Sequence, residues 1–191
     1  NCSLIGGETA EHPNAFPKDK YDLAGFCVGI VEKESIKKSD LPKNNDVLIS
    51  LKSSGLHSNG FSLVRELIKR KKINLKNKIG NKTIGEVILK PTKIYVKEIL
   101  ELKKKINIKA IAHITGGGLT GNLERIIPKN MKITLFKNTL FNFHKKLFLM
   151  LKKASNLSDI EMLETFNCGN GMVLVVTKDD LKKTEKYLIK L

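Results

Sequence analysis

Apolar and polar positions along this chain follow two different periods, and the changes of period mark its elements. Leu23 to Val31 (LAGFCVGIV) is small, apolar and β-branched, the composition of a buried strand. Glu32 to Asn45 is polar and charged, contains Pro42, and reads as a linker or domain boundary. Asp46 to Leu51 is the next strand, leading into a polar, glycine-bearing loop from Lys52 to Gly60. Phe61, Val64, Leu67 and Ile68 then recur at helical spacing, predicting a helix over 61–72. A longer helix is predicted after Pro91, over 92–105, with Ile94, Ile99, Leu102 and Ile106 as its apolar positions. Ile108 to Ile114 is a strand, Thr115 to Gly118 a glycine turn, and Leu119 to Ile127 a helix stopped by Pro128. Further strands are expected at Met131–Phe136 and Met172–Thr177, with helices around His144–Ala154 and from Asp180 onward. Strands alternating with helices give an α/β class with α+β layers, a mixed sheet flanked by helices.

Composition narrows the class. The 191 residues are 41% hydrophobic and 28% charged, enough to bury a core. No apolar run approaches the length needed to cross a bilayer; the densest, Leu147 to Leu151, is far too short. Cys2, Cys27 and Cys168 are widely spaced and odd in number, which excludes a disulfide framework and a zinc module and suits a reducing cytoplasm. The formal net charge of +16 raises nucleic-acid binding as a question. Only Arg65, Arg70 and Arg125 are arginines, so 32 of the 35 cations are lysine, and aromatics are 6% with no tryptophan. The fork that reads phosphates and base edges is scarce, and so are platforms for stacking on bases. The charge therefore reads as a lysine-rich solvated surface, with no nucleic acid and no membrane as partner. The chain opens at Asn1 without an initiator methionine and stops at Leu191 inside an amphipathic run, so both ends look cut.

Four polar, glycine-bearing stretches carry the candidate chemistry. Gly116, Gly118 and Gly121 fit G-x-G-x-x-G, but Phe136 to Thr139 lacks the acidic residue that a dinucleotide site wants. The turn itself can still bring backbone N–H groups to an anion, or be only a tight turn. No Walker A sequence occurs. Ser53-Ser54-Gly55-Leu56-His57-Ser58-Asn59-Gly60 gathers hydroxyls, an imidazole and an amide before a helix, where Ser58 or Asn59 is also a natural cap. Gly6-Gly7-Glu8-Thr9-Ala10-Glu11 offers oxygens suited to Mg²⁺ and its phosphates, or a solvated turn. Asn167-Cys168-Gly169-Asn170-Gly171 alone is a bend, and Cys168 has no histidine near it in sequence to make it a nucleophile. His12 and His144 carry no argument.

In this order the chain contains GGETAE, YDLAGFCVGIVEK, SSGLHSNGFSLVR, LKPTKIYVK, AIAHITGGGL and TFNCGNGM. Together they resemble the phosphoribosylformylglycinamidine cyclo-ligase (aminoimidazole ribonucleotide synthetase) family along almost the whole chain. The resemblance implies the C-terminal α/β domain of the aminoimidazole ribonucleotide synthetase-like fold over residues 34–191, incomplete at its end. Residues 1–33 would be the tail of the N-terminal ATP-binding domain. The implied reaction converts formylglycinamidine ribonucleotide and ATP to aminoimidazole ribonucleotide, ADP and phosphate, with Mg²⁺, in a cytoplasmic enzyme that is a homodimer at full length. By motif match, Glu8 and Thr9 approach the metal and the ATP phosphates. His57, Ser58 and Asn59 line the substrate cleft, and Gly116, Gly117 and Gly118 face the ribose phosphate. His57 or His113 would orient the formyl oxygen or move a proton, although His113 suits a core position at a strand end as well. The rivals are a thiamine-monophosphate kinase or selenophosphate synthetase type of the same superfamily, and a basic module without catalysis. The isolated chain is expected to lack activity.

Overall fold

A computed structural model of the chain describes residues 2–11, 17, 19–36, 41–136, 139 and 141–189. His12 and residues 37–40 of the expected linker lie outside them. The chain divides into two units, Asn1–Lys37 and Lys38–Leu191.

In the first unit the only regular element is the short helix α1 (Lys33–Ile36), among the described residues. The expected buried strand at Leu23–Val31 is not there: the segment is irregular, with Phe26 94% and Ile30 101% exposed. A strand needs a neighbour for its backbone N–H and C=O groups, and this unit holds no second strand among its described residues. The β-branched composition is real but has nothing here to pair with.

The second unit is built on three strands: β1 (Val47–Lys52), β4 (Ala110–His113) and β5 (Asn170–Val176). Their order is β1-β5-β4 and both pairings are antiparallel. β1 and β4 therefore run the same way on either side of β5, and their C-terminal ends meet its beginning. The registers Lys52↔Asn170 and His113↔Met172 fix this edge. The small hairpin of β2 (Lys78–Ile79) and β3 (Lys82–Thr83) stands apart, turning through Gly80 in the left-handed region (φ 62°).

Alternation along the strands divides the apolar side chains between two layers. Ile49, Leu51, Leu174 and Val176 pack with Tyr95 and Leu102 against α4 (Val96–Lys103) and α8 (Leu181–Leu188). Ala112 and Val173 face the larger cluster, with α2 (Phe61–Lys69), α3 (Ile84–Ile88), α5 (Gly118–Glu124), α6 (Lys145–Ser155) and α7 (Asp159–Thr165). Phe148 and Phe166, both fully buried, meet edge to face there at 6.2 Å. The fold is thus a mixed α/β one, with small antiparallel sheets flanked by helices. A buried ion pair, Lys109 Nζ to Asp46 at 2.9 and 3.0 Å, ties the start of β4 to the start of β1.

Two expectations change. Met131–Phe136 forms no strand; Ile133 and Leu135 reach the core by side-chain contact instead. The helix expected over 92–105 begins only at Val96, because Lys93 N–H before it donates to His57 Nε2 and the Tyr95 hydroxyl to the Lys52 carbonyl at the sheet edge. No helix among the described residues is long and apolar enough to cross a membrane.

Candidate active site

Three loops converge where β1 and β4 end and β5 begins. Residues 53–60 follow β1, 115–117 follow β4, and 167–169 precede β5. Backbone bonds extend the ladder into them: Ser53 N–H donates to the Gly169 carbonyl at 2.8 Å, and Ile114 N–H to that of Gly171 at 3.0 Å.

Buried amides lock the loops together. Asn167, fully buried, donates from Nδ2 to the Gly55 and Leu56 carbonyls at 3.0 and 2.9 Å, and its Oδ1 accepts from Gly169 N–H at 2.8 Å. Asn59 is also buried and donates to the Thr115 carbonyl, joining the first loop to the second. Asn122, on α5, donates to the carbonyls of Thr115, Gly116 and Gly118 at 3.1, 3.3 and 2.7 Å. Arg125 Nη1 donates in turn to Asn122 Oδ1 at 3.2 Å, and its guanidinium stands beside Gly117. Asn122 and Asn167 thus position the loops. Asn59, expected in the substrate cleft, is committed to the same task.

His57 sits at the centre in a left-handed conformation, φ 54°. Its Nε2 accepts from the backbone N–H groups of Ser54 at 3.0 Å and Lys93 at 3.3 Å, so the ring proton belongs on Nδ1. Nδ1 is buried and has no partner among the described residues. Burial, then the neighbouring His113 and His144, lower its pKa to about 4. At neutral pH this imidazole is a neutral, oriented donor and a poor base. Tyr95 and His113 stand around it, with ring centroids 6.1 and 6.3 Å from the His57 ring. Tyr95 donates its hydroxyl to the Lys52 carbonyl at 2.9 Å, and burial, helped by Glu98, pushes its pKa far up. Gly171 is required by this packing: a Cβ there would strike the Tyr95 hydroxyl and come within 2.6 Å of His57 Cε1. His113 is exposed, which removes the core alternative for it. His144 accounts for a further tie, Nε2 donating to the Ser53 carbonyl at 2.7 Å.

The glycine turn is partly occupied by its own chain. Gly118 N–H donates to Thr115, and Leu119 N–H to Phe166. Gly118, at φ 65°, lies so close to the backbone of Leu163 and Glu164 that no Cβ fits. Among the described residues, the N–H groups of Gly116 and Gly117 remain outside these bonds. Cys168 is buried, its Sγ 3.3 Å from the Met162 carbonyl, and burial and then Asp159 raise its pKa, so it is no nucleophile. Glu8 and Thr9 belong to the first unit and are exposed there.

Known proteins resemble this domain. The family described as AIR synthase related protein, C-terminal domain, matches residues 43–190. The chain belongs to that family. It is similar to the phosphoribosylformylglycinamidine cyclo-ligase of Ligilactobacillus salivarius, 49% identical over 190 residues, covering 97% of this chain and 54% of that protein. The cyclo-ligase of Acetivibrio thermocellus is 46% identical over 191 residues, with 99% and 56% covered, and that of Neisseria gonorrhoeae 45% over 188, with 98% and 54%. The chain spans about half the length of these curated relatives. Within this AIR synthase related domain, SSGLHSNG, HITGGG and NCGNG are the three converging loops. Sequence reasoning missed Tyr95, Asn122, Arg125 and the fastening role of Asn167. Tyr95 lay inside LKPTKIYVK, and Arg125 is one of only three arginines, so signals existed for both.

Proposed function

We propose that the protein to which this domain belongs is a phosphoribosylformylglycinamidine cyclo-ligase, an enzyme of purine biosynthesis. The observation that carries the reading is the convergence of three motif loops on His57, in a domain whose relatives bear that name. The substrate's amide oxygen attacks the γ-phosphorus of ATP, and the bond to ADP breaks. The amidine nitrogen then attacks the activated carbon, the carbon–oxygen bond breaks, phosphate leaves and the nitrogen gives up its proton. Catalysis consists largely of holding both ends together and meeting phosphate charge.

His57 presents its Nδ1–H to the formyl oxygen, which suits an imidazole that stays neutral. His113, exposed beside it, is the candidate to move the proton. Ser58, Gly116 and Gly117 line the substrate. Residues 1–33 are the tail of an N-terminal ATP-binding domain, with Glu8 and Thr9 toward the ATP phosphates. Mg²⁺ is commonly held by one or two carboxylates together with phosphate oxygens and water. Glu8 offers one such oxygen donor, and no group of three or more metal-ligating side chains occurs among the described residues. When bound, Mg²⁺ would neutralise phosphate charge. The full-length enzyme is a cytoplasmic homodimer in this reading, and the isolated domain is inactive. The test is product formation from formylglycinamidine ribonucleotide and ATP. The full-length protein should release ADP and aminoimidazole ribonucleotide in equal amounts, and the 191-residue chain neither. Turnover by the chain alone would overturn the assignment of the ATP site to the other half.

A further inference from the structure

We propose that Tyr95 is a positioning residue for ring closure: its hydroxyl pins the connector 91–95 to the end of β1, so that Lys93 N–H reaches His57 and keeps the imidazole proton on Nδ1. This role rests on the reading given under Proposed function, in which that proton faces the formyl oxygen. The connector leads from α3 to α4 and is exposed along residues 91–94. Tyr95 is its one buried residue, 3% exposed and packed with Ile49, Leu51, Leu102 and Leu174.

Three bonds tie the connector to residues 52–57. Ser54 Oγ donates to the Pro91 carbonyl at 2.5 Å, Lys93 N–H to His57 Nε2 at 3.3 Å, and the Tyr95 hydroxyl to the Lys52 carbonyl at 2.9 Å. The middle bond is the one that bears on His57. It is also the longest, so its geometry depends on the pins at either side. The Ser54 pin is exposed, where water competes for both partners. The Tyr95 pin is partly buried and lands where the β1–β5 pairing shifts register, between Leu51 and Lys52. A phenylalanine would fill the same apolar space, so the hydroxyl contributes this bond and little else. Nor is Tyr95 a proton donor to substrate: its proton is committed to Lys52, and burial pushes its pKa far up.

The donors on Nε2 decide the tautomer. Ser54 N–H supplies one from the loop itself at 3.0 Å, and Lys93 N–H supplies the other from the connector. While both are in place, Nε2 is held as an acceptor and the proton stays on Nδ1. With the connector loosened, Nε2 keeps one donor, and the other neutral form, protonated on Nε2, gains ground. That form turns a lone pair toward the formyl oxygen where a donor is needed. The Tyr95 ring adds orientation. It stands at 62° to the His57 ring and 66° to the His113 ring, with centroids 6.1 and 6.2 Å away, and so backs both imidazoles at once.

The experiment compares Tyr95→Phe, which keeps the ring and removes the bond, with Tyr187→Phe, a tyrosine packed against the same apolar cluster. Nitrogen–proton correlation NMR of the histidine-labelled 191-residue chain at neutral pH reads the His57 tautomer. Wild type and Tyr187→Phe should carry the proton on Nδ1. In Tyr95→Phe the ratio of the two tautomers should move about fivefold toward the Nε2-protonated form, the worth of one neutral hydrogen bond. Ser54→Ala removes the other pin and should move the ratio the same way by less; it carries the test if thermal unfolding shows Tyr95→Phe misfolded. In the full-length enzyme, Tyr95→Phe should lower kcat about tenfold or more and leave the ribonucleotide KM within about twofold. A tyrosine that only fills the core would lower the melting temperature and leave the tautomer and kcat alone, which overturns the proposal. Unchanged kcat beside a shifted tautomer overturns it as well. A wild-type full-length protein that closes no ring overturns the cyclo-ligase reading instead, and the tautomer comparison then decides the link from Tyr95 to His57 by itself.

Discussion

The loops after β1 and β4 look alike in sequence and are held in opposite ways. Each leads from a strand through glycine to a helix, and each helix starts at a left-handed glycine without a side-chain cap, Gly60 or Gly117. The 115–117 turn is braced mainly from close by: Asn122, one turn into the following helix, gathers the carbonyls of Thr115, Gly116 and Gly118, and Asn59 adds one bond from the first loop. The 53–60 loop is braced from a distance, by Asn167, Gly169, Tyr95 and His144, all more than 35 residues away in sequence. Local bracing uses up carbonyls of the turn and leaves the Gly116 and Gly117 N–H groups outside it. Distant bracing leaves the start of α2 open and His57 fixed beside it.

The contrast makes Asn167 the more damaging residue to lose. Asn167→Ala should cost about 3 kcal/mol, because it strands two buried carbonyls and the Gly169 N–H at once. Urea denaturation measures this, and a cost under about 1 kcal/mol would mean that the first loop holds itself. Asn122→Ala should cost less, about 2 kcal/mol, because Thr115 and Gly116 are exposed and water can reach their freed carbonyls. Equal costs for the two would erase the distinction.

The third expectation concerns pH. His57 has a folded pKa of about 4 against 6.5 when free, so the unfolded chain takes up the proton first as pH falls. Stability should be unaffected by this group above about pH 7 and should drop through the window from 6.5 toward 4. The loss between pH 7 and pH 5 should be about 1 to 2 kcal/mol. His57→Gln should flatten that slope, apart from the smaller contribution of the same sign from His144. A slope unchanged in His57→Gln would show that the imidazole is not held neutral by burial and the neighbouring His113 and His144.

The strands and the larger amphipathic helices were legible because burial writes its period into them. β1, β4 and β5 fall within a residue or two of the expected runs, as do α6 and α8. α7 was overlooked although Ser158 and Glu161 spell a capping box, and α3 likewise with Thr83 and Glu86. Leu23–Val31 misled because composition reports what a segment would bury, not whether a partner is present. At the candidate site, the motifs named the loops but not their fasteners. Asn122 and Arg125 act from the helix flank behind a turn, and Tyr95 reaches the Lys52 carbonyl across 43 residues of chain. Juxtapositions of that kind have no period to read.

The central strand is also the last to be made. β1 and β4 find their shared partner only in residues 170–176, more than a hundred residues after β1 has left the ribosome. Until then both present unpaired edges rich in leucine, isoleucine and alanine, and the loops that surround His57 have no frame. Such long-range closure is slow, since loop entropy is lost before any pairing returns it. Synthesis interrupted before Val176 would therefore yield a sticky precursor for chaperones rather than a smaller, partly working domain.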